Sequence, residues 1–234
     1  MQINAIQSVI GLLDGYSSNP EMKHLINTLD TLKLTADNTR IERKIIGVGM
    51  NPYLKGREHL ITLYQHIKSN DALQFEYKKF GSDESIKEII HPQYLKEFNQ
   101  RWFLISVYEK NKDAIRVFAL DRIVSFKVAK RVKYFEVELD WEEEYFADII
   151  GVTNYEHESP LEIKLRFLNG RGNYAETKPL HPSQKPVSWI DSQTAEVSLY
   201  VKLNNELVAM LLSYGNDVEV IEPIELKNRL TTKR

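Results

Sequence analysis

The chain has 234 residues, with 33 acidic and 31 basic side chains, a formal net charge of −2 and no cysteine. The near-neutral charge argues against a polyanion-binding field over the whole surface, and the missing cysteines exclude disulfides, thiolate metal sites and a cysteine nucleophile. No run of about 18 apolar residues occurs, so we expect no transmembrane helix. Residues 1–13 lack the basic start of a signal peptide, so we expect a cytoplasmic protein.

The first 70 residues have the apolar spacing of short amphipathic helices. One predicted helix ends near Gly15, a second begins at Asn19-Pro20, and a third is opened by Asn51-Pro52, because an Asn followed by a Pro is typical of a helix start. The segment 1–70 is therefore predicted to be helical. It forms either a linker or dimerisation element or a small subdomain packed on the next part of the chain, and the sequence leaves both open.

From Asp71 onward, apolar residues alternate with polar ones, as they do in a half-buried strand. The first such strand contains Leu73, Phe75 and Tyr77. Apolar stretches predict four more strands, at 86–90, 102–108, 115–120 and 123–128. Short strands at this spacing predict a small antiparallel barrel or sandwich.

The local charge of the sequence changes from positive to negative after the last of these predicted strands. Residues 110–133 contain eight basic and two acidic side chains, whereas residues 134–148 contain seven acidic and no basic ones. Such blocks form either solvated faces or an anion-binding surface followed by an acidic connector. We predict a domain boundary at the end of the acidic stretch.

The last third of the chain combines strand and helix patterns. Alternating apolar residues predict strands at 161–167, 197–203 and 218–221. Between the last two, Asn204 is a candidate N-cap of a helix that Gly215 would end. The predicted fold class is α+β, in three parts: a helical segment (1–70), a small antiparallel β-domain (71–148) and an α+β domain (149–234).

The sequence lacks the common signatures of enzymes. Gly47-Val48-Gly49 is not followed by the third glycine of a dinucleotide fingerprint, and no serine has the surroundings of a nucleophile elbow. The six histidines are scattered; His59 and His66 have no accompanying carboxylate pair at metal-ligand spacing. We therefore expect no enzymatic activity, no metal and no cofactor.

Aromatic and basic residues are interleaved between Tyr77 and Arg122. Aromatic rings stack on bases and guanidinium groups pair with phosphates, so a strand surface with both suits a nucleic acid or a nucleotide. The alternative is structural. The run Trp102-Phe103-Leu104 would belong to the core, which we favour, and arginines such as Arg122, next to Asp121, would form surface ion pairs.

Four blocks in this region are informative in their order: Phe75–Tyr77, His91–Leu95, Arg101–Leu104 and Arg116–Ile123. They resemble successive blocks of the WYL domain of bacterial transcriptional regulators, named for a Trp-Tyr-Leu run that reads Trp-Phe-Leu here. Two later segments, His181–Gln184 and Leu212–Pro223, resemble the WCX extension that follows this domain. The resemblance covers about residues 71–230.

The resemblance implies a small SH3-like or Sm-like β-barrel which, with its extension, forms the ligand-sensing and dimerisation module of a regulator. In some members the ligand is single-stranded DNA, so the implied partner is a single-stranded nucleic acid or a nucleotide-like anion. The ligand-binding residues implied by motif position are Tyr77, His91, Arg101, Arg116 and Arg122, with Arg166 of the extension as a second wall.

Two features depart from the family pattern. Ala119 stands where the family usually has an arginine, so one expected cation is absent. The winged helix-turn-helix that would bind operator DNA has no visible counterpart, so the chain is either a fragment of a longer regulator or a natural sensor without a DNA-binding head. A homodimer is expected. The competing hypothesis is a protein-interaction or homodimerisation module with no small ligand.

Overall fold

The computed structural model describes residues 53–232, in which one compact unit ends at Glu136 and a second begins at Val137. The helices predicted before Asn51 lie outside the described residues. The third predicted helix is present but short: α1 spans Leu60–Lys68, directly after a 3-10 turn at Arg57–His59. Gly56 precedes that turn with a φ of 85°, a left-handed conformation that cannot continue a helix. The helix therefore begins after Gly56.

The first unit is built on one antiparallel sheet with the strand order β4-β3-β2-β1-β5. Its strands are β1 (Leu73–Lys78), β2 (Ser85–Phe98), β3 (Arg101–Tyr108), β4 (Asn111–Ala119) and β5 (Ile123–Val128). All five predicted strands are confirmed. β2 is longer than predicted because it continues through Pro92, where its register against β3 shifts. A proline has no amide donor and is tolerated in a strand at such an irregularity.

The expected barrel is not closed in the described residues. β4 and β5 are the two edge strands of the sheet, no ladder joins them, and the 3-10 turn Leu120–Arg122 connects them. Leu120 is buried in the core at this point. The amide of Ala119, at the end of β4, donates to the hydroxyl of Tyr77 at 3.3 Å. A side chain thus satisfies this backbone donor at the edge of the open sheet.

The core of the first unit gathers on one face of the sheet. The three apolar residues of β1 are buried there, and their polar neighbours in the strand are more exposed. Leu63 of α1 is completely buried in the same cluster. The Trp-Phe-Leu run reaches this cluster through Leu104, which is completely buried, and Trp102, which packs at its margin.

The second unit is a four-stranded antiparallel sheet with the order β7-β8-β6-β9. Its strands are β6 (Leu161–Phe167), β7 (Ser188–Trp189), β8 (Ala195–Val201) and β9 (Val218–Glu222). Its helices are α2 (Gly172–Thr177), α3 (Asn205–Ser213) and α4 (Ile224–Thr232). The predicted strands of the last third are confirmed within two residues at their ends.

Helix α3 begins and ends as its sequence predicts. The side-chain oxygen of Asn204 accepts a hydrogen bond from the Leu207 amide at 2.9 Å, which is the N-cap contact. Gly215 follows the helix end with a φ of 61°. The chain is thus an α+β protein with two antiparallel sheets. Among residues 53–232, no helix is both long and apolar enough to cross a bilayer.

Candidate anion-binding site

A pocket of about 390 Å³ opens in the first unit beside β1, β3, β4 and the turn before β5. Three of its lining side chains are basic and four are aromatic, and none carries a carboxylate. The lining residues are Tyr77, Lys79, Phe80, Tyr108, Arg116, Val117, Phe118 and Arg122. Uncompensated cations around a partly enclosed space favour an anionic occupant.

Arg122 reaches this pocket from the turn Leu120–Arg122. Its guanidinium carbon lies 5.5 Å from the ring centroid of Tyr77 and 4.9 Å from that of Phe80. The Nε atom is buried and has no hydrogen-bond partner among the described residues. Arg122 is therefore held by ring faces, and its N–H groups are not committed to a carboxylate.

Arg116 forms a second wall of the pocket from β4. It lies opposite Ser106 in the β3–β4 ladder, and its guanidinium carbon is 5.7 Å from the ring centroid of Tyr108. Within residues 53–232, its hydrogen bond goes to the backbone oxygen of Ile115 at 3.3 Å, and it makes no ion pair. Arg116 is exposed, so a ligand can reach its charge.

Tyr77 forms the floor of the pocket. Its ring is buried and packs on Phe75 and Phe118, at centroid distances of 5.9 Å and 5.0 Å. Burial raises the pKa of the Tyr77 hydroxyl, and the nearby charge of Arg122 opposes this shift. Because its ring is covered and its hydroxyl accepts from Ala119, Tyr77 orients Arg122 and leaves little ring surface for a base.

The sequence reasoning missed Phe80 and Lys79 as pocket residues. Phe80 is 71% exposed and lies beside Gly81 at the tip of the β1–β2 hairpin. A large aromatic residue in a hairpin turn is unusual, because burial elsewhere would stabilise the fold more. That signal, an aromatic residue immediately before a turn glycine, was present in the sequence.

His91 does not line this pocket. Its side chain is completely buried in β2, where Nε2 lies 2.5 Å from Oε2 of Glu109 and Nδ1 accepts from the Phe135 amide at 3.1 Å. Burial lowers the pKa of His91, and the hydrogen bond to Glu109 opposes this shift. Both ring nitrogens are thus occupied by the protein.

Arg101 also lies outside the pocket lining. Its Nη2 atom is 3.7 Å from Oδ2 of Asp121, so the carboxylate next to Arg122 pairs with Arg101. Arg166 belongs to the second unit, where its Nη2 is 2.8 Å from Oε1 of Glu196. It contributes to a pocket of that unit, of about 420 Å³, which also contains Lys227.

The described residues contain no group of three or more His, Asp and Glu side chains that could hold a metal ion. What the first-unit pocket offers is a pair of guanidinium groups, a lysine and exposed aromatic surface. This set can bind an anion that carries a planar or aromatic part.

Comparison with known families gives two matches. Residues 58–128 match the WYL domain, and residues 159–233 match the WCX domain. The chain carries a WYL domain followed by a WCX domain. The resemblance predicted from the sequence is confirmed, and both are domains of the regulatory type. The candidate pocket lies in the WYL domain and Arg166 lies in the WCX domain.

Two solved structures are similar to the chain. Proteasome accessory factor B/C (PafBC) of Arthrobacter aurescens is 15% identical, with a TM-score of 0.33, over 79% of this chain and 27% of that one. A CRISPR Cas-related protein is 13% identical, with a TM-score of 0.43, over 76% of this chain and 50% of that one. The chain therefore spans half the length of these structures or less. None of the curated proteins gives a match.

Proposed function

We propose that this chain is the ligand-sensing module of a bacterial transcriptional regulator, and that the WYL pocket binds phosphate groups of a short single-stranded nucleic acid or a nucleotide. One observation carries the proposal: Arg116 and Arg122 lie on aromatic rings at the same pocket, with no carboxylate in its lining. Elsewhere in the described chain, Arg101, Arg166 and Arg171 each face a carboxylate.

The chemistry of the pocket fits a nucleotide better than an inorganic anion. A guanidinium group that lies on a ring keeps its edge N–H groups for bidentate pairing with a phosphate. Phe80 is exposed beside Arg122, and an exposed ring can stack on a base. A phosphate with an attached base would use both features at once.

Sensing requires two states with different affinities for the ligand. In our proposal the ligand favours one arrangement of the module, and a coupling free energy of about 1–3 kcal/mol would be typical for such regulation. Operator DNA would be bound by a helix-turn-helix head, and the module would act as a homodimer. Both belong to the proposal.

The direct test is fluorescence anisotropy of the chain with short labelled single-stranded DNA of mixed sequence, at two salt concentrations. We expect salt-sensitive binding that weakens by about tenfold in Arg116→Ala or Arg122→Ala, since a charge-assisted hydrogen bond contributes about 1.5–3 kcal/mol. Each substitution should also flatten the slope of log K against log salt by about 0.7.

Arg171→Ala is the matched control for these variants. Arg171 also lies over a tyrosine ring, 5.1 Å from the centroid of Tyr174, but its Nε is 3.0 Å from a carboxylate oxygen of Asp217. This variant should bind the oligonucleotide within twofold of the wild type. Equal losses in all three variants, or no binding at low salt, would contradict the proposal.

The second candidate function is a protein-interaction or homodimerisation module. Exposed apolar residues in the second unit favour it: Tyr174, Ile190 and Tyr200 are 60%, 56% and 50% exposed. Apolar surface of this kind is typical of protein contacts when it is contiguous. Sedimentation equilibrium separates the candidates, because a ligand-independent dimer without oligonucleotide binding would support this one.

A further inference from the structure

The segment His91-Pro92-Gln93 holds the chain that leads out of the WYL domain. Gln93 Nε2 donates to the Phe135 backbone oxygen at 2.8 Å, and the Phe135 amide donates to His91 Nδ1 at 3.1 Å. The Tyr134 hydroxyl donates to the Pro92 oxygen at 2.5 Å. Three consecutive residues of β2 thus fix Tyr134 and Phe135, and the second compact unit begins at Val137.

The imidazole of His91 is fixed from both sides. Because Nδ1 accepts from the Phe135 amide, the ring proton belongs on Nε2, which donates to Glu109 in the β3–β4 turn. Lys112 lies 3.2 Å from the same carboxylate and 5.4 Å from the ring centroid of Phe135. The interactions of His91 and Lys112 therefore join β2, the β3–β4 turn and the departing chain at Phe135.

One serine connects these contacts to a residue that lines the pocket. Ser106 Oγ donates to the His91 backbone oxygen at 2.7 Å, and Ser106 is the ladder partner of Arg116. Tyr108, the ring beneath Arg116, is the ladder partner of Ile90, directly before His91. Arg116 is two ladder steps from Pro92, through Ser106, and Tyr108 is one ladder step from Ile90, the chain neighbour of His91.

We propose that His91, Pro92 and Gln93 form a clamp that couples the WYL pocket to the departing chain, so that anion binding at Arg116 and fixation of Tyr134 and Phe135 favour each other. This inference rests on the proposed function for its ligand. The coupling is reciprocal by thermodynamic linkage. Loosening the clamp lowers ligand affinity by the same factor by which the ligand tightens the clamp.

The first experiment needs no ligand. Ser106→Ala removes the hydroxyl next to Arg116, and the His91 oxygen keeps the hydrogen bond from Gln93 Nε2 at 3.0 Å. Although Ser106 is not a hydrogen-bond partner of Phe135, hydrogen exchange of the Phe135 amide, followed by NMR, should be about fivefold faster in this variant, the loss expected for one hydrogen bond.

Ser125→Ala is the control for this experiment. It removes a hydroxyl that donates to Glu76 at 3.3 Å on β5, away from the clamp, and should leave the Phe135 exchange rate unchanged. An unchanged rate in Ser106→Ala, or an equal increase in Ser125→Ala, would overturn the coupling whether or not any nucleic acid binds.

The second experiment uses the short single-stranded DNA of the binding assay. Gln93→Ala should weaken its binding by about fivefold or more, although Gln93 does not line the pocket, while Gln74→Ala in β1 should have no effect. Equal affinity of Gln93→Ala and the wild type would overturn the clamp. If the wild type does not bind this DNA, the proposed function fails, and the exchange rates still decide whether Ser106 connects the β4 ladder to the clamp.

Discussion

Neighbouring arginines of the WYL domain differ in their chemistry because their partners differ. Arg101 faces Asp121, whereas Arg122, the next residue after that aspartate, lies over Tyr77 and Phe80. A carboxylate neutralises a guanidinium group, but an aromatic ring orients it and leaves its charge available. The partner of each arginine therefore decides which of them can bind a ligand.

Arg122→Lys separates charge from geometry at the pocket. A lysine keeps the positive charge but loses the planar group that lies on a ring and pairs with a phosphate through two parallel hydrogen bonds. We expect oligonucleotide binding to weaken by less than in Arg122→Ala while the salt slope stays unchanged, as measured by anisotropy. Wild-type affinity in Arg122→Lys would show that charge alone matters at this position.

His91 makes stability depend on pH. Burial lowers its pKa in the folded state, so the unfolded chain binds more protons when the pH falls below the ordinary histidine value of about 6.5. The free energy of unfolding should therefore decrease as the pH is lowered from about 6.5 towards the folded pKa. His181, for which burial also lowers the pKa, acts in the same direction in the second unit.

Urea unfolding across this pH range tests whether His91 causes the pH dependence of stability. His91→Gln should lower stability at neutral pH and flatten its decrease with acidification, because the titrating group is gone. His157→Gln, at an exposed position, is the control and should keep the wild-type profile. A wild-type profile in His91→Gln would contradict the role of this residue.

Residue types and motif positions predicted only part of the lining of the candidate pocket. Tyr77, Arg116 and Arg122 come together at the pocket, whereas His91 and Arg101 have protein partners outside its lining. The motif gives order along the chain, but it does not say which carboxylate is nearer to which arginine. That choice depends on side-chain directions at turns.

At the scale of elements, the approach of two turns positions Arg122. A Cβ atom on Gly56 would lie 2.3 Å from the Asp121 nitrogen, inside the turn that carries Arg122. Only a residue without a side chain allows this contact, and the φ of 85° favours the same residue. The segment before α1 thus packs directly against the backbone of the pocket turn.

Gly56→Ala should therefore be far more disruptive than its backbone conformation alone predicts. Gly81→Ala is the matched control, since Gly81 also has a positive φ, of 73°, but nothing lies within 4 Å of its added Cβ. We expect a loss of about 1 kcal/mol for Gly81→Ala and about 3 kcal/mol for Gly56→Ala in urea unfolding. Similar losses of stability in the two variants would show that the backbone around Gly56 can move apart from the pocket turn at little energetic cost.

The sequence predicted the strands well but not how far β2 runs. The predicted strand ended at residue 90, yet β2 continues to Phe98 with a register shift after Pro92. The alternation of apolar and polar residues reflects the burial of one face of a strand, so it locates the strands along the chain. It does not report whether a sheet closes, because closure requires a ladder between the two edge strands, here β4 and β5.

At the scale of the whole molecule, the net charge of −2 means that the proposed ligand binding would be a local property of the pocket. If only Arg116 and Arg122 pair with phosphates of a single strand, the slope of log K against log salt should be about −1.4, and about −2.1 if Lys79 also takes part. Anisotropy titrations over a salt series measure it. A slope steeper than about −4 would point to the basic residues between 127 and 133 as the main contact.

The open sheet also bears on solubility. In the described part of the chain β4 is an edge strand, and an unpaired edge can template pairing with another chain. Lys112, Asp113 and Arg116 place charges along β4, which is a common protection of such edges against aggregation. Arg116 therefore stands at a position where the proposed ligand recognition and resistance to aggregation require the same charge, and apolar replacements there would promote self-association as well as abolish the proposed phosphate contact.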